Sequence, residues 1–187
     1  PPVLFVHGLW SAEETWSMDL VDDSRIPVRR RVDYSGTSAD SFAENVANQV
    51  IRTGVEDALA QSDESLNRVA ARVDLVGHSM GGLLGRIRTT ETDFLRPSLC
   101  NSGSIRKIVT LDSPHEGSPL ADLLSTLSLL PLNGPGIRAL FSNLGLPIDQ
   151  GAILDLTVGS PALLDLQAVP ISSHAIVGTG GSDVLSL

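Results

Sequence analysis

The sequence is short of positive charge, of cysteine and of long apolar runs, and each shortage excludes something. Lys and Arg number 13 against 22 Asp and Glu, a net charge of −9. Nucleic acid is excluded as a partner, because binding phosphate needs a basic face. Docking on anionic lipid by charge alone is excluded on the same ground. A single cysteine, Cys100, cannot form an internal disulfide and leaves the redox compartment open. No run of about 20 apolar residues is present, so no transmembrane helix is expected. The sequence opens on Pro1 without an initiator Met or a signal-type segment, which leaves secreted and cytoplasmic locations both open. Four scattered histidines and one cysteine give no metal-ligand spacing, and no cofactor is expected.

What remains is a chain of 187 residues, 42% hydrophobic and 19% charged, the composition of one folded domain. Short apolar runs alternate with longer helical stretches, the pattern of an α/β protein with a mostly parallel sheet and helices on both faces. Strands are expected at Val3 to Val6, Val28 to Tyr34, Val73 to Val76, Ile105 to Leu111 and Ala175 to Val177, the last with Ile171 as an optional start. Ser11 is a candidate N-cap for a helix opening with Glu13 and Glu14. Ser38 or Asp40 could cap a long helix through Phe42, Val46, Val50, Val55 and Leu59, with Gly54 as an interruption. Residues 118–170 are rich in Leu and broken by Pro131, Pro135, Pro147 and Pro161. Two or three short helices are expected there, serving either as core or as a lid-like insertion and apolar substrate wall.

Three blocks carry chemistry. Gly77-His78-Ser79-Met80-Gly81 stands between an expected strand and an expected helix, the context of a nucleophile elbow. A serine there stands clear of the sheet, and glycines on either side let strand and helix approach. The helix N-terminus turns free N–H groups toward developing negative charge. His7-Gly8 directly follows the first strand. Acyl transfer needs N–H donors about 3 Å from the oxyanion. The expected donors are the backbone N–H groups of Met80 and Leu9, with His7 shaping the loop. Asp112-Ser113-Pro114-His115-Glu116-Gly117-Ser118 is the third block.

The segments PVLFVHGLW, VDLVGHSMGG and IVTLDSPHEGSPLAD resemble the α/β-hydrolase superfamily, in its lipase-like branch of bacterial triacylglycerol lipases and PGAP1-like proteins. The resemblance extends from Pro2 to about Val177. It implies a cofactor-free serine hydrolase of fatty or other acyl esters, with a small-molecule or lipid ester as substrate and transient contact with a lipid surface. It implies the spatial order second-first-third-fourth-fifth for the strands, and it puts His115 near the chemistry.

A serine needs a histidine within reach and an acid to orient it. Asp183 is the favoured acid, with Asp112 the alternative. The usual glycine after the family's acid is here Val184. No histidine follows Asp183, and His115 is a weak candidate for the base. The expectation is that the native chain continues beyond Leu187 with the last strand and the histidine, so that this chain alone would be incomplete and inactive. Two further readings stay open: an acyltransferase using the same nucleophile, and a catalytically inactive domain that binds a lipid or a protein partner. The oligomeric state has no signal in the sequence.

Overall fold

A parallel strand flanked on both sides must be apolar on both faces, and Val3–Val6, here β1, meets that demand. It lies between β2, Arg29–Val32, and β3, Val73–His78, with Val3 opposite Arg29 on one side and Asp74 on the other. The computed structural model describes residues 1–17, 23–26, 28–66, 69–129, 134–146, 148, 151–166 and 168–178. Next to β3 come β4, Ile105–Leu111, and β5, Ser172–Ile176. All pairs are parallel and the order is β2-β1-β3-β4-β5, the order the family resemblance implied. Leu4 and Val6 point into the main core, while Phe5 packs on the other face with Trp16, Ile26, Val76 and Leu111. The sheet therefore has a core on each side.

The helices depart from the expectations in informative ways. The stretch after Ser11 is a single 3-10 turn, Glu13–Thr15, with Ala12 at its N-cap. Ser11 does not cap it; its hydroxyl pairs with that of Thr15. The long helix is two. Helix α1, Phe42–Ala47, is capped by Ser41 rather than Ser38 or Asp40. Its Oγ accepts from the Glu44 N–H, and the Glu44 carboxylate accepts from the Ser41 N–H. The chain then turns at Gln49, φ +57°, before α2, Val50–Leu66. Gly54 does not interrupt α2. A Cβ there would lie 2.6 Å from Val32 Cγ2 and 3.1 Å from Leu4 Cδ1, so the glycine lets α2 lie down on β1 and β2.

Helix α3, Met80–Thr90, follows β3 directly. Among the described residues, 118–170 contain four helices, more than expected: α4, Pro119–Leu129; α5, Gly134–Asn143; α6, Gly151–Asp155; and α7, Pro161–Leu164. Leu124, Ile148 and Ile153 form a separate cluster with Ile137, Phe141, Leu9 and Trp10. The Leu-rich segment thus rests on the loop that follows β1. Leu120, Leu123, Leu129, Leu140 and Leu144 are exposed. Every residue of β5 is exposed. Among the described residues, no helix is long and apolar enough to cross a membrane.

Candidate active site

Ser79 alone separates β3 from α3. Ser79 has φ +52° and ψ −127°, a conformation that costs an L-residue on the order of 1–3 kcal/mol. The neighbours hold it there. Its N–H donates to Leu111 O at 2.8 Å, and its carbonyl accepts from the Gly82 N–H at 3.1 Å. The glycines supply clearance. A Cβ on Gly77 would stand 2.5 Å from Gly82 Cα and N, and one on Gly81 would meet the carbonyl oxygens of Val6 and His7. Strand and helix meet with no room for a side chain between them.

Gly8 backs onto the serine. Its missing Cβ would fall 2.8 Å from Ser79 Cβ and 3.3 Å from Ser79 Oγ. The fold therefore brings Ser79, Met80 and the loop carrying Leu9 together, as three of the residues singled out in the sequence. His7 is fully buried beneath that loop. Its ring stacks on Tyr34 at 4.1 Å, and the Tyr34 N–H donates to Nε2 at 3.3 Å. Nε2 is thus an acceptor, so Nδ1 carries the proton and donates to Gly8 O at 3.0 Å. The Tyr34 hydroxyl donates to His7 O. Burial pushes the His7 pKa below its ordinary value, against the pull of the Gly8 contact. His7 is a neutral strut of the loop.

Asp112 ends β4 with φ +48°. Its carboxylate accepts from the Gly178 N–H at 2.6 Å and so ties down the segment after β5. Asp183 lies outside the described residues. Ser113 turns toward the elbow and its Oγ donates to Ser79 O at 2.7 Å. The space it fills is the one left by Gly82. His115 is engaged at both nitrogens. Nδ1 accepts from Arg86 Nη1 at 3.2 Å, so Nε2–H donates to Thr110 Oγ1 at 3.1 Å. Burial, and then the Arg86 charge, lower its pKa. His115 fastens its loop to α3. His174 sits on the exposed strand β5, and the His78 ring meets Trp16 edge-on at 6.5 Å.

Sequence reasoning missed Tyr34 and the hydroxyl of Ser113. Tyr34 meets His7 across 27 positions and Ser113 meets Ser79 across 34, and neither carries a local motif. For Ser113, the second glycine after the elbow, Gly82, was the available sign.

The sequence profile of the PGAP1-like alpha/beta domain family matches residues 35–130, just over half of the chain. No curated protein matches. The mature form of the Bacillus licheniformis lipase BlEst2 superposes with a TM-score of 0.57 at 19% identity, over 94% of this chain and 64% of that one. Phospholipase PlaB from Legionella pneumophila, in complex with thio-NAD, superposes with a TM-score of 0.64 at 18% identity, over 98% of this chain and 38% of its own. The chain thus spans less than two thirds of either protein. At such identity the likeness shows the fold, and it is the fold expected from the three sequence blocks. Together, the parallel sheet, the strand-elbow-helix junction and the profile match establish that the chain belongs to the PGAP1-like alpha/beta domain family and has the α/β-hydrolase fold.

Proposed function

We propose that this chain carries the nucleophile of a serine carboxylic-ester hydrolase, lipase- or esterase-like, acting through an acyl-enzyme on Ser79. The observation that carries the reading is the backbone of Ser79, strained to φ +52° between β3 and α3 and backed by bare glycines. A residue is kept in such a conformation where its surroundings over-determine it, and such places cluster at functional sites. The lipase and phospholipase names of the superposing proteins support lipid esters as the substrate class.

Ser79 Oγ attacks the acyl carbonyl while its proton passes to a histidine oriented by Asp183. The carbonyl oxygen becomes an oxyanion held by the N–H groups of Leu9 and Met80. Collapse expels the alcohol, which takes the proton, and water then releases the acid by the same steps in reverse order. His7 and His115 are committed to neighbours and are not proposed as the base. Asp112, holding Gly178, is a clamp in this reading rather than the acid. The exposed leucines of α4 and α5 are proposed to form the apolar wall and the face that touches lipid.

The test is Ser79→Ala in the intact protein. Turnover of p-nitrophenyl esters and labelling by a fluorophosphonate should both vanish. Persistence of both in the variant sinks the assignment. Product analysis with a competing alcohol separates hydrolysis from acyl transfer.

A further inference from the structure

The two expected oxyanion donors belong to peptide units whose other end can be inspected. The Met80 N–H shares its peptide with Ser79 C=O, and the Leu9 N–H shares its peptide with Gly8 C=O. No described peptide is cis, so in each unit the carbonyl points away from its N–H. A donor on the carbonyl therefore sits behind the unit, opposite any oxyanion in front. Both carbonyls have one. Ser113 Oγ donates to Ser79 O at 2.7 Å, and His7 Nδ1 donates to Gly8 O at 3.0 Å. Two loops from different strands repeat the same arrangement with different side chains.

We propose that Ser113 is a positioning residue that fixes and polarises the 79–80 peptide, strengthening Met80 as an oxyanion donor, with His7 doing the same for the 8–9 peptide. The inference rests on Ser79 being the nucleophile. Hydrogen bonds in series polarise one another, so an acceptor contact at a carbonyl makes the N–H of the same unit a better donor. The gain is greatest when negative charge develops in front of that N–H, which is in the transition state and not in the bound ester. Geometry adds to polarisation. Ser79 O is pinned by two donors, Gly82 N–H and Ser113 Oγ, so the 79–80 peptide cannot swing as charge builds. The loop is itself anchored one turn further along α3, where His115 bridges Arg86 and Thr110. Gly82 also finds its reason here, since a side chain at that position would occupy the place of the Ser113 hydroxyl.

The experiment compares Ser113→Ala and Ser113→Cys with wild type in the intact protein. The readouts are kcat and KM on a p-nitrophenyl ester and the affinity of a trifluoromethyl ketone, which forms the oxyanion on binding. Removing an oxyanion donor outright costs about 10²–10³ in kcat, and Ser113 acts one bond removed, so a fall of about 5- to 20-fold is expected. KM should stay within about twofold, and ketone affinity should fall by the same factor as kcat/KM. Cysteine, a near-isostere with a weak donor, should fall between. If the alanine variant does not fold, the cysteine variant decides alone. A wild type that takes the fluorophosphonate label while the folded variant matches it in kcat/KM and ketone affinity overturns the role of Ser113 alone. A kcat loss without loss of ketone affinity overturns it too. A wild type that takes no label overturns the Ser79 reading, and this inference with it.

Discussion

Replacing Gly77 by Ala tests whether the elbow depends on bare backbone. The new Cβ would stand 2.5 Å from Gly82 Cα, 2.5 Å from Gly82 N and 2.7 Å from Gly81 C. All three are backbone atoms, so no rotamer change relieves the contact. Carbon atoms rest at about 3.5–4.0 Å, so β3 and α3 must part by about 1 Å. Overpacking costs about 1–3 kcal/mol, and a backbone obstacle places this case at the upper end. For a chain of this size, about 3 kcal/mol lowers Tm by about 6–12 °C. Two other glycines calibrate the measurement. At Gly85 the nearest obstacles are methyls of Leu75, at 2.9 and 3.1 Å, which can shift. Alanine also gains up to about 1 kcal/mol of helix propensity there, so the net change should stay within about 1 kcal/mol. At Gly136 nothing lies within 4 Å, and alanine should stabilise by about 0.5 kcal/mol. Thermal unfolding followed by circular dichroism should therefore rank Gly136→Ala first, wild type and Gly85→Ala next, and Gly77→Ala well below. Fluorophosphonate labelling of Gly77→Ala should slow by about 10²-fold, the effect of a nucleophile displaced by about 1 Å. A Gly77→Ala protein with an unchanged Tm and labelling rate would refute the close-approach argument.

Three further outcomes follow from other contacts. His7 and His115 have pKa values depressed by burial, so the unfolded chain binds more protons than the folded one once the pH falls through the ordinary histidine value of 6.5. Tm should fall between pH 7 and pH 5, before the depressed carboxylates Asp33, Glu44 and Asp93 contribute, and His115→Gln should flatten part of that slope. Asp155 accepts from the Phe42 N–H at 2.6 Å at the start of α1, so Asp155→Ala should cost about 1–2 kcal/mol in urea unfolding while Asp155→Asn, which keeps an acceptor, costs less. Asp112→Asn keeps an oxygen for the Gly178 N–H and should leave ester turnover within about threefold of wild type, whereas Asp183→Asn should lower kcat by about 10⁴; the reverse pattern makes Asp112 the acid.

β1 was legible because a parallel strand buried on both faces announces itself as an unbroken apolar run, whereas β2 carries three arginines and β5, expected at Ala175 to Val177, is Ser172–Ile176 and exposed throughout. Ile105–Leu111 lies where the sequence put it, to the residue. The elbow was legible for a related reason, since the need for glycine beside Ser79 is local in the chain. The break at Gln49 was not legible, because a left-handed residue there has no requirement for glycine and the apolar spacing runs on through it. Gly54 was misread because propensity treats glycine as a breaker, whereas here it answers to Val32 and Leu4, which only the packed structure brings beside it. In the third block Asp112 was offered as the alternative acid and His115 as a weak base, and Ser113 had no expected role. Asp112, Ser113 and His115 act on Gly178, Ser79 and Arg86, which lie 66, 34 and 29 positions away.

Positive φ at non-glycine residues converges on the proposed site without reference to any motif. Trp10, Ser79 and Asp112 have φ of +52°, +52° and +48°, and none is glycine. They follow β1, β3 and β4, three adjacent strands of one parallel sheet, each at its C-terminal end. That end of an open α/β sheet is where ligands bind. Positive φ also occurs in ordinary turns, at Gln49 and at the consecutive residues Cys100 and Asn101. Three at neighbouring strand ends are a shared constraint. Ser79 is locked through Leu111 and Ser113, and Asp112 through Ile176 and Gly178. The locks run from strand to strand, so the strain at one turn is sustained by the next. For the proposed site, turns held this way keep their geometry before substrate arrives, which is what stabilising a transition state demands.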